Sequence, residues 1–223
     1  MSGILQQVYE RLWAAYGPQH WWPGDGPFEV IVGAVLVQNT SWKNVERAIQ
    51  NLRDAGLMEP RRLACIPLPE LEEYIRPAGY YRIKARRLRN LLEMIVRRYG
   101  GSLERMFSRP MDVLREELLE VRGIGPETAD SILLYAGQMP TFVVDAYTHR
   151  VLSRHGWIGF DADYYQIKEY FEGQLEPDVQ LFNEYHALLV RVGHLHCRRR
   201  PKCSGCPLEP MLPEGGPLQP DSD

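Results

Sequence analysis

The chain has 223 residues, 44% hydrophobic and 25% charged, with a formal net charge of −3. That composition excludes a disordered or collagen-like chain and supplies enough apolar material for one large core or two smaller ones. No apolar run approaches the ~20 residues of a membrane span, and the N-terminal stretch lacks a secretory cleavage pattern, so a cytoplasmic protein with no membrane partner is expected.

The first element, "MSGILQQVYERLWAAYG", reads as an amphipathic helix. After it comes "WWPGDGPFEVIVGAVLVQNTSW" (21–42), where Trp21 and Trp22 stand beside Pro23 and an apolar helix is broken by Gln38, Asn39 and Thr40 just before Trp42. Helical periodicity then recurs in "NVERAIQNLRDAG", "IKARRLRNLLEMIVRRYG", "DVLREELLEV", "ETADSILLYAG", "YTHRVLSRHG", "YYQIKEYFEGQL" and "LFNEYHALLVRVGHLH". Several of these end in Gly, a common C-terminal stop. "TFVVDAY" is short and β-branched, but too isolated to build a sheet. The expectation is an all-α protein of about ten helices with short loops. The closing residues 213–223 are rich in Pro, Gly and Asp and are expected to be a disordered tail.

Charge is unevenly spread. Residues 82–98 carry seven basic residues against Glu93 alone, and "RRRPK" (198–202) carries four. A solvated helix face explains either run taken alone. The stretch "VRGIGPETA" (121–129) changes that balance. Gly123 and Gly125 flank Ile124, and Pro126 suits the first position of a following helix. Backbone N–H groups at such a start form an anion site, and phosphate is the obvious anion.

Taken together, these segments resemble the endonuclease III superfamily of helix-hairpin-helix DNA glycosylases. "VRGIGPETADSILLYA" resembles its hairpin, "TFVVDAYTHRVLSR" the segment bearing its aspartate, "AVLVQNTS" its Gln-bearing helix end, and "RPAGYYRIKARRL" its wedge segment. "NEYHALLVRVGHLHC" with "RRRPKCSGCPL" resembles its last helix and cysteine loop, so the likeness runs in order over most of the chain. It implies two helical domains with a cleft between them for double-stranded DNA carrying a damaged base. Residues 27–139 would form one domain with the hairpin, and 1–26 plus 140–212 the other. The target nucleotide would be flipped out, because its glycosidic bond cannot be reached inside a duplex.

Residue by residue, the resemblance gives Asp145 the catalytic role: its carboxylate stabilises positive charge developing on the sugar and orients water. A helix N-cap is the plainer role for an Asp there, and the two are compatible. Bifunctional members carry a lysine where this chain has Glu127. A carboxylate cannot form a Schiff base, so no lysine-dependent lyase activity is expected. Gln38 matches the residue that fills the hole left by the flipped base, and Tyr80 the residue that wedges into the stack. Lys84 lies in the same basic segment and is assigned to DNA. Gly123, Ile124 and Gly125 would hold phosphate through backbone N–H groups, and Arg198, Arg199, Arg200 and Lys202 would meet the backbone too.

Cys197, Cys203 and Cys206 are spaced C-x5-C-x2-C, whereas the family's [4Fe–4S] loop is C-x6-C-x2-C-x5-C; Leu212 occupies the fourth position. Three readings stay open: a cluster with an outside or histidine fourth ligand, a Cys3His zinc site using His194 or His196, or a metal-free loop. The remaining cysteine, Cys65, is read as a buried small residue.

Trp21, Trp22, Pro23 and Trp42 would line the base pocket. Indoles attract a cationic base by about 0.5–2 kcal/mol per contact, and 3-methyladenine and 7-methylguanine nucleotides are such bases. With Glu127, this pairing is similar to the 3-methyladenine branch of the superfamily. The expected activity is therefore monofunctional removal of alkylated purines in base-excision repair, by a monomer. A thymine/uracil mismatch glycosylase and a non-catalytic damage-binding protein remain as alternatives.

Overall fold

The computed structural model describes residues 3–21 and 24–220. Each helix expected from periodicity forms, and the described residues contain twelve α-helices and no strand. In order they are α1 (Ile4–Tyr16), α2 (Pro27–Leu36), α3 (Trp42–Asp54), α4 (Pro60–Cys65), α5 (Leu68–Tyr74), α6 (Tyr81–Tyr99), α7 (Leu103–Phe107), α8 (Met111–Leu119), α9 (Pro126–Ser131), α10 (Ala146–Arg154), α11 (Tyr164–Glu172) and α12 (Val179–Leu195). A π-turn, Ile132–Ala136, continues α9. The short helices α4, α5 and α7 escape a periodicity search because they last one or two turns. Their ends are set locally: the Glu59 side chain caps Arg61 and Arg62, and Ser102 caps Arg105.

The chain divides into two compact units, one made of residues 1–21 with 140–223 and the other of 22–139. In the second unit, α2 is buried along its whole length from Phe28 to Leu36. A helix apolar all round belongs at a centre, and α3, α6 and α9 pack around this one. Its one buried acid, Glu29, is neutralised by Arg53 at 2.5 Å.

In the first unit, α12 packs against α10 and α1. The Tyr185 hydroxyl donates to the Leu5 carbonyl at 2.8 Å, tying α12 to α1. The β-branched stretch "TFVV" runs extended without a strand partner. It is held by Phe142, which stacks on Phe171 at 3.8 Å and meets Phe182 and Tyr185 edge-on. The Phe142 N–H donates to Glu172 at 2.7 Å. Residues 213–220 differ from the expected loose tail. The Leu218 N–H donates to the Arg154 carbonyl at 2.9 Å, and the Leu218 side chain lies over Gly156.

Candidate active site and DNA-facing elements

The anchored strut at Phe142 ends at Asp145, which opens α10. Its Oδ1 accepts the Thr148 N–H at 2.7 Å and the Thr148 hydroxyl at 2.9 Å, so Asp145 is the N-cap. Its Oδ2 lies 3.6 Å from Nε2 of His186 on α12, beyond a direct hydrogen bond but within ion-pair range. Burial pushes the carboxyl pKa up; His186 and the two Thr148 donors outweigh it and hold Asp145 below its ordinary value. The helix N-terminus favours the same anion. This is a desolvated, ionised carboxylate with one oxygen committed to a cap, suited to stabilising a developing cation.

In the other unit, α8, residues 120–125 and α9 build the hairpin. Gly123 has φ +100, which only glycine adopts without strain. Gly123 and Gly125 are exposed, whereas Ile124 is buried. The Ile124 N–H is spent on the Val121 carbonyl at 3.0 Å, so it is not an outward phosphate donor; the assignment narrows to the two glycines and the helix start. No side chain caps α9, leaving its first N–H groups to other partners. Glu127 is exposed in that first turn.

Gln38 lies in the turn after α2, where Asn39 takes a left-handed φ of +54 that ends the helix. Its amide is occupied at both ends: Nε2 donates to Thr128 of α9 at 2.9 Å, and Oε1 accepts from Arg87 of α6. Tyr80 caps α6 in the left-handed region and is 71% exposed. That strained backbone turns a large aromatic ring into solvent, which packing alone does not explain. Tyr81 beside it is covered by the guanidiniums of Arg76 and Arg82, at 5.2 and 5.8 Å.

Lys84 does not face DNA. It is 1% exposed, and its Nζ donates to the carbonyls of Leu36 at 2.9 Å and Ala78 at 2.8 Å. Burial, with the nearby Arg87 charge, pulls its pKa down to about 8. Lys84 lies on the buried face of α6 with Ala85, Leu88 and Leu91, so the basic run conceals one inward residue. Trp21 and Trp42 are partly buried, in the first and second unit respectively. Trp22 and Pro23 lie outside the described residues.

Arg198, Arg199, Arg200 and Lys202 are exposed on the cysteine loop. Arg150 donates to the Cys197 carbonyl at 2.6 Å. Buried Arg154 donates to the carbonyls of Arg198 at 2.5 Å and Arg199 at 3.0 Å, and to Cys197 Sγ at 3.5 Å. His196 is turned to the Lys202 carbonyl and His194 to the Tyr147 hydroxyl. Among the described residues no group of three or more His, Cys, Asp or Glu is placed to hold a metal. With Leu212 at the fourth position the loop offers three thiols, one short of a four-thiolate cluster, and guanidinium-to-carbonyl bonds shape it. Cys65, expected to be buried, is exposed at the end of α4.

Sequence reasoning missed His186, Thr148, Arg87 and Arg154. The backbone half of the Thr148 contact was legible, since an Asp N-cap accepts from the N–H three residues on. His186 and Arg87 carry no local signal, because their partners lie 41 and 49 residues away.

Comparison with known proteins gives the same family from three directions. Residues 32–177 match the HhH-GPD superfamily base excision DNA repair protein family. A protein of Methanocaldococcus jannaschii whose name proposes a DNA repair glycosylase is 48% identical over 208 residues, covering 92% of this chain and 94% of the relative. Among solved structures, a trapped endonuclease III–DNA covalent intermediate superposes with a TM-score of 0.81 at 26% identity, covering 96% and 97% of the two chains. The Helicobacter pylori 3-methyladenine DNA glycosylase bound to 1,N6-ethenoadenine superposes with a TM-score of 0.73 at 28% identity, covering 85% and 97%. The chain belongs to the HhH-GPD superfamily: it is a base-excision repair DNA glycosylase with an endonuclease III-like fold.

Proposed function

We propose that this glycosylase is monofunctional and removes alkylated purines, 3-methyladenine foremost, from double-stranded DNA. The carrying observation is the Asp145 carboxylate, buried and held ionised at the start of α10. An ionised carboxylate stabilises the oxocarbenium-like sugar and takes a proton from the attacking water as the base leaves. Water is the nucleophile, because position 127 bears a carboxylate and Lys84 is buried against two carbonyls. The product is an abasic site on an intact strand.

The substrate class rests on the chemistry of Trp21, Trp22, Pro23 and Trp42 and on similarity to the H. pylori enzyme. Indole faces prefer a cationic base, and a methylated purine is already primed for loss. In this reading Tyr80 wedges into the stack, Gln38 leaves Arg87 and Thr128 to enter the vacated hole, and Gly123 and Gly125 approach a phosphate. Arg198, Arg199, Arg200 and Lys202 supply salt-dependent backbone contacts.

The test is base release from duplex DNA methylated with a radiolabelled methyl donor, with Asp145→Asn alongside. Release of 3-methyladenine by the wild type only, with strands intact until alkali, supports the reading. Release of no methylated purine, with activity on thymine or uracil opposite guanine, would move the protein to the mismatch class.

A further inference from the structure

We infer that His186 on α12 is a positioning residue for the catalytic carboxylate, fixing which oxygen of Asp145 faces the reaction and keeping it ionised. The inference rests on Asp145 being that carboxylate. Oδ1 is fully engaged by Thr148, through the backbone N–H at 2.7 Å and the hydroxyl at 2.9 Å. Only Oδ2 is left to meet a sugar or a water, and His186 Nε2 stands 3.6 Å from it. Both side chains are nearly enclosed, at 12% and 7% exposure.

The setting of His186 argues against a packing role. It sits among Phe182, Tyr185, Leu188 and Leu189, the buried apolar face of α12. An imidazole in such a place costs desolvation that an aliphatic side chain of similar volume avoids, so a polar partner has to offset it. Asp145 is such a partner. Among the described residues, the other groups that act on the carboxylate lie on its own helix: Thr148, which caps with it, and Tyr147, whose hydroxyl pKa is raised by burial and then by Asp145. Arg150 on α10 lies over the Tyr147 ring and is committed to the Cys197 carbonyl. Among the described residues, His186 is thus the side chain that faces Asp145 from another element. Without it, burial works against the anion with Thr148 and the α10 N-terminus in opposition, and the carboxyl pKa rises.

The direction of the pH effect follows. Asp145 acts as an anion, so activity is present above its pKa and lost as pH falls through it. With His186 in place that loss lies below the ordinary carboxylate range. Replacing His186 moves the acid limb upward.

The experiment is a single-turnover pH profile of base release from methylated duplex DNA, for wild type, His186→Ala, His186→Gln and Asp145→Asn. The expected result for His186→Ala is an acid limb shifted up by about one unit, a tenfold slower reaction below it, and unchanged affinity for abasic-site DNA. Gln, whose amide N–H reaches as far as Nε2, should recover part of the shift. If His186→Ala does not fold, His186→Gln decides, with the Asp145 side-chain carboxyl titrated by NMR. Profiles and titrations that superimpose on the wild type would overturn the inference while leaving the catalytic aspartate standing. Activity retained by Asp145→Asn would instead remove the reading beneath it.

Discussion

Arg87 runs beneath Gly123 of the hairpin and donates to the Gln38 side chain; a Cβ on Gly123 would collide with the Cγ and Cδ of that arginine. One side chain of α6 thus touches both the hairpin and the turn after α2. Gly123→Ala should destabilise by about 1–3 kcal/mol, from positive φ and from the collision. In an Arg87→Ala background the cost should fall toward the φ term of about 1 kcal/mol, since only the Cβ contact remains. A double-mutant cycle by urea unfolding measures the difference, and strictly additive effects would refute the contact.

Lys84 supports the same turn from below. Lys84→Met keeps the stem but leaves the Leu36 and Ala78 carbonyls without a donor, at an expected cost of about 1–3 kcal/mol. Because the ammonium does not face phosphate, the salt dependence of DNA binding should keep its slope. A slope reduced by about one would mean that Lys84 reaches the backbone after all.

The lowered pKa of Lys84 predicts a pH signature. Between its folded value of about 8 and its ordinary value of 10.5, the unfolded chain carries the proton and the folded chain does not. Stability therefore rises with pH across that window, relative to Lys84→Met. The unfolding midpoint of the wild type should move further above that of Lys84→Met between pH 7.5 and pH 10. Parallel curves would rule out the shift.

Asp145→Asn should abolish base release by a factor of about a hundred or more, since an amide carries no charge for the sugar cation. Binding to abasic-site duplex should survive, because the Asn side chain still caps α10. Borohydride should trap no protein–DNA adduct with the wild type, since Glu127 offers no amine. A trapped adduct would identify an amine nucleophile and withdraw the monofunctional assignment.

The cysteine loop should withstand chelation. Prolonged EDTA treatment is expected to leave the melting temperature unchanged, and the purified protein to lack stoichiometric iron, sulfide or zinc. Arg154→Ala, which strips two loop carbonyls of a buried donor, should cost about 2–4 kcal/mol. One cluster or zinc ion per chain would mean that a fourth ligand comes from elsewhere.

Sequence alone determined the longer helices and their order, because a 3.6-residue apolar period, proline starts and glycine stops are local. It also marked the hairpin, Asp145 and the Glu127 departure, whose chemistry needs only the residue type at its place. Tertiary structure decided which groups are buried and with whom. Lys84 and Arg87 sit three residues apart in one basic run, yet one is walled against two carbonyls and the other ties Gln38 to α6. The Ile124 N–H, free on paper, is consumed by the turn itself. His186 reads as another residue of an apolar helix until the fold sets it beside Asp145. Desolvation and Coulomb forces depend on distances that the chain reaches only after its helices pack, so no local pattern encodes them.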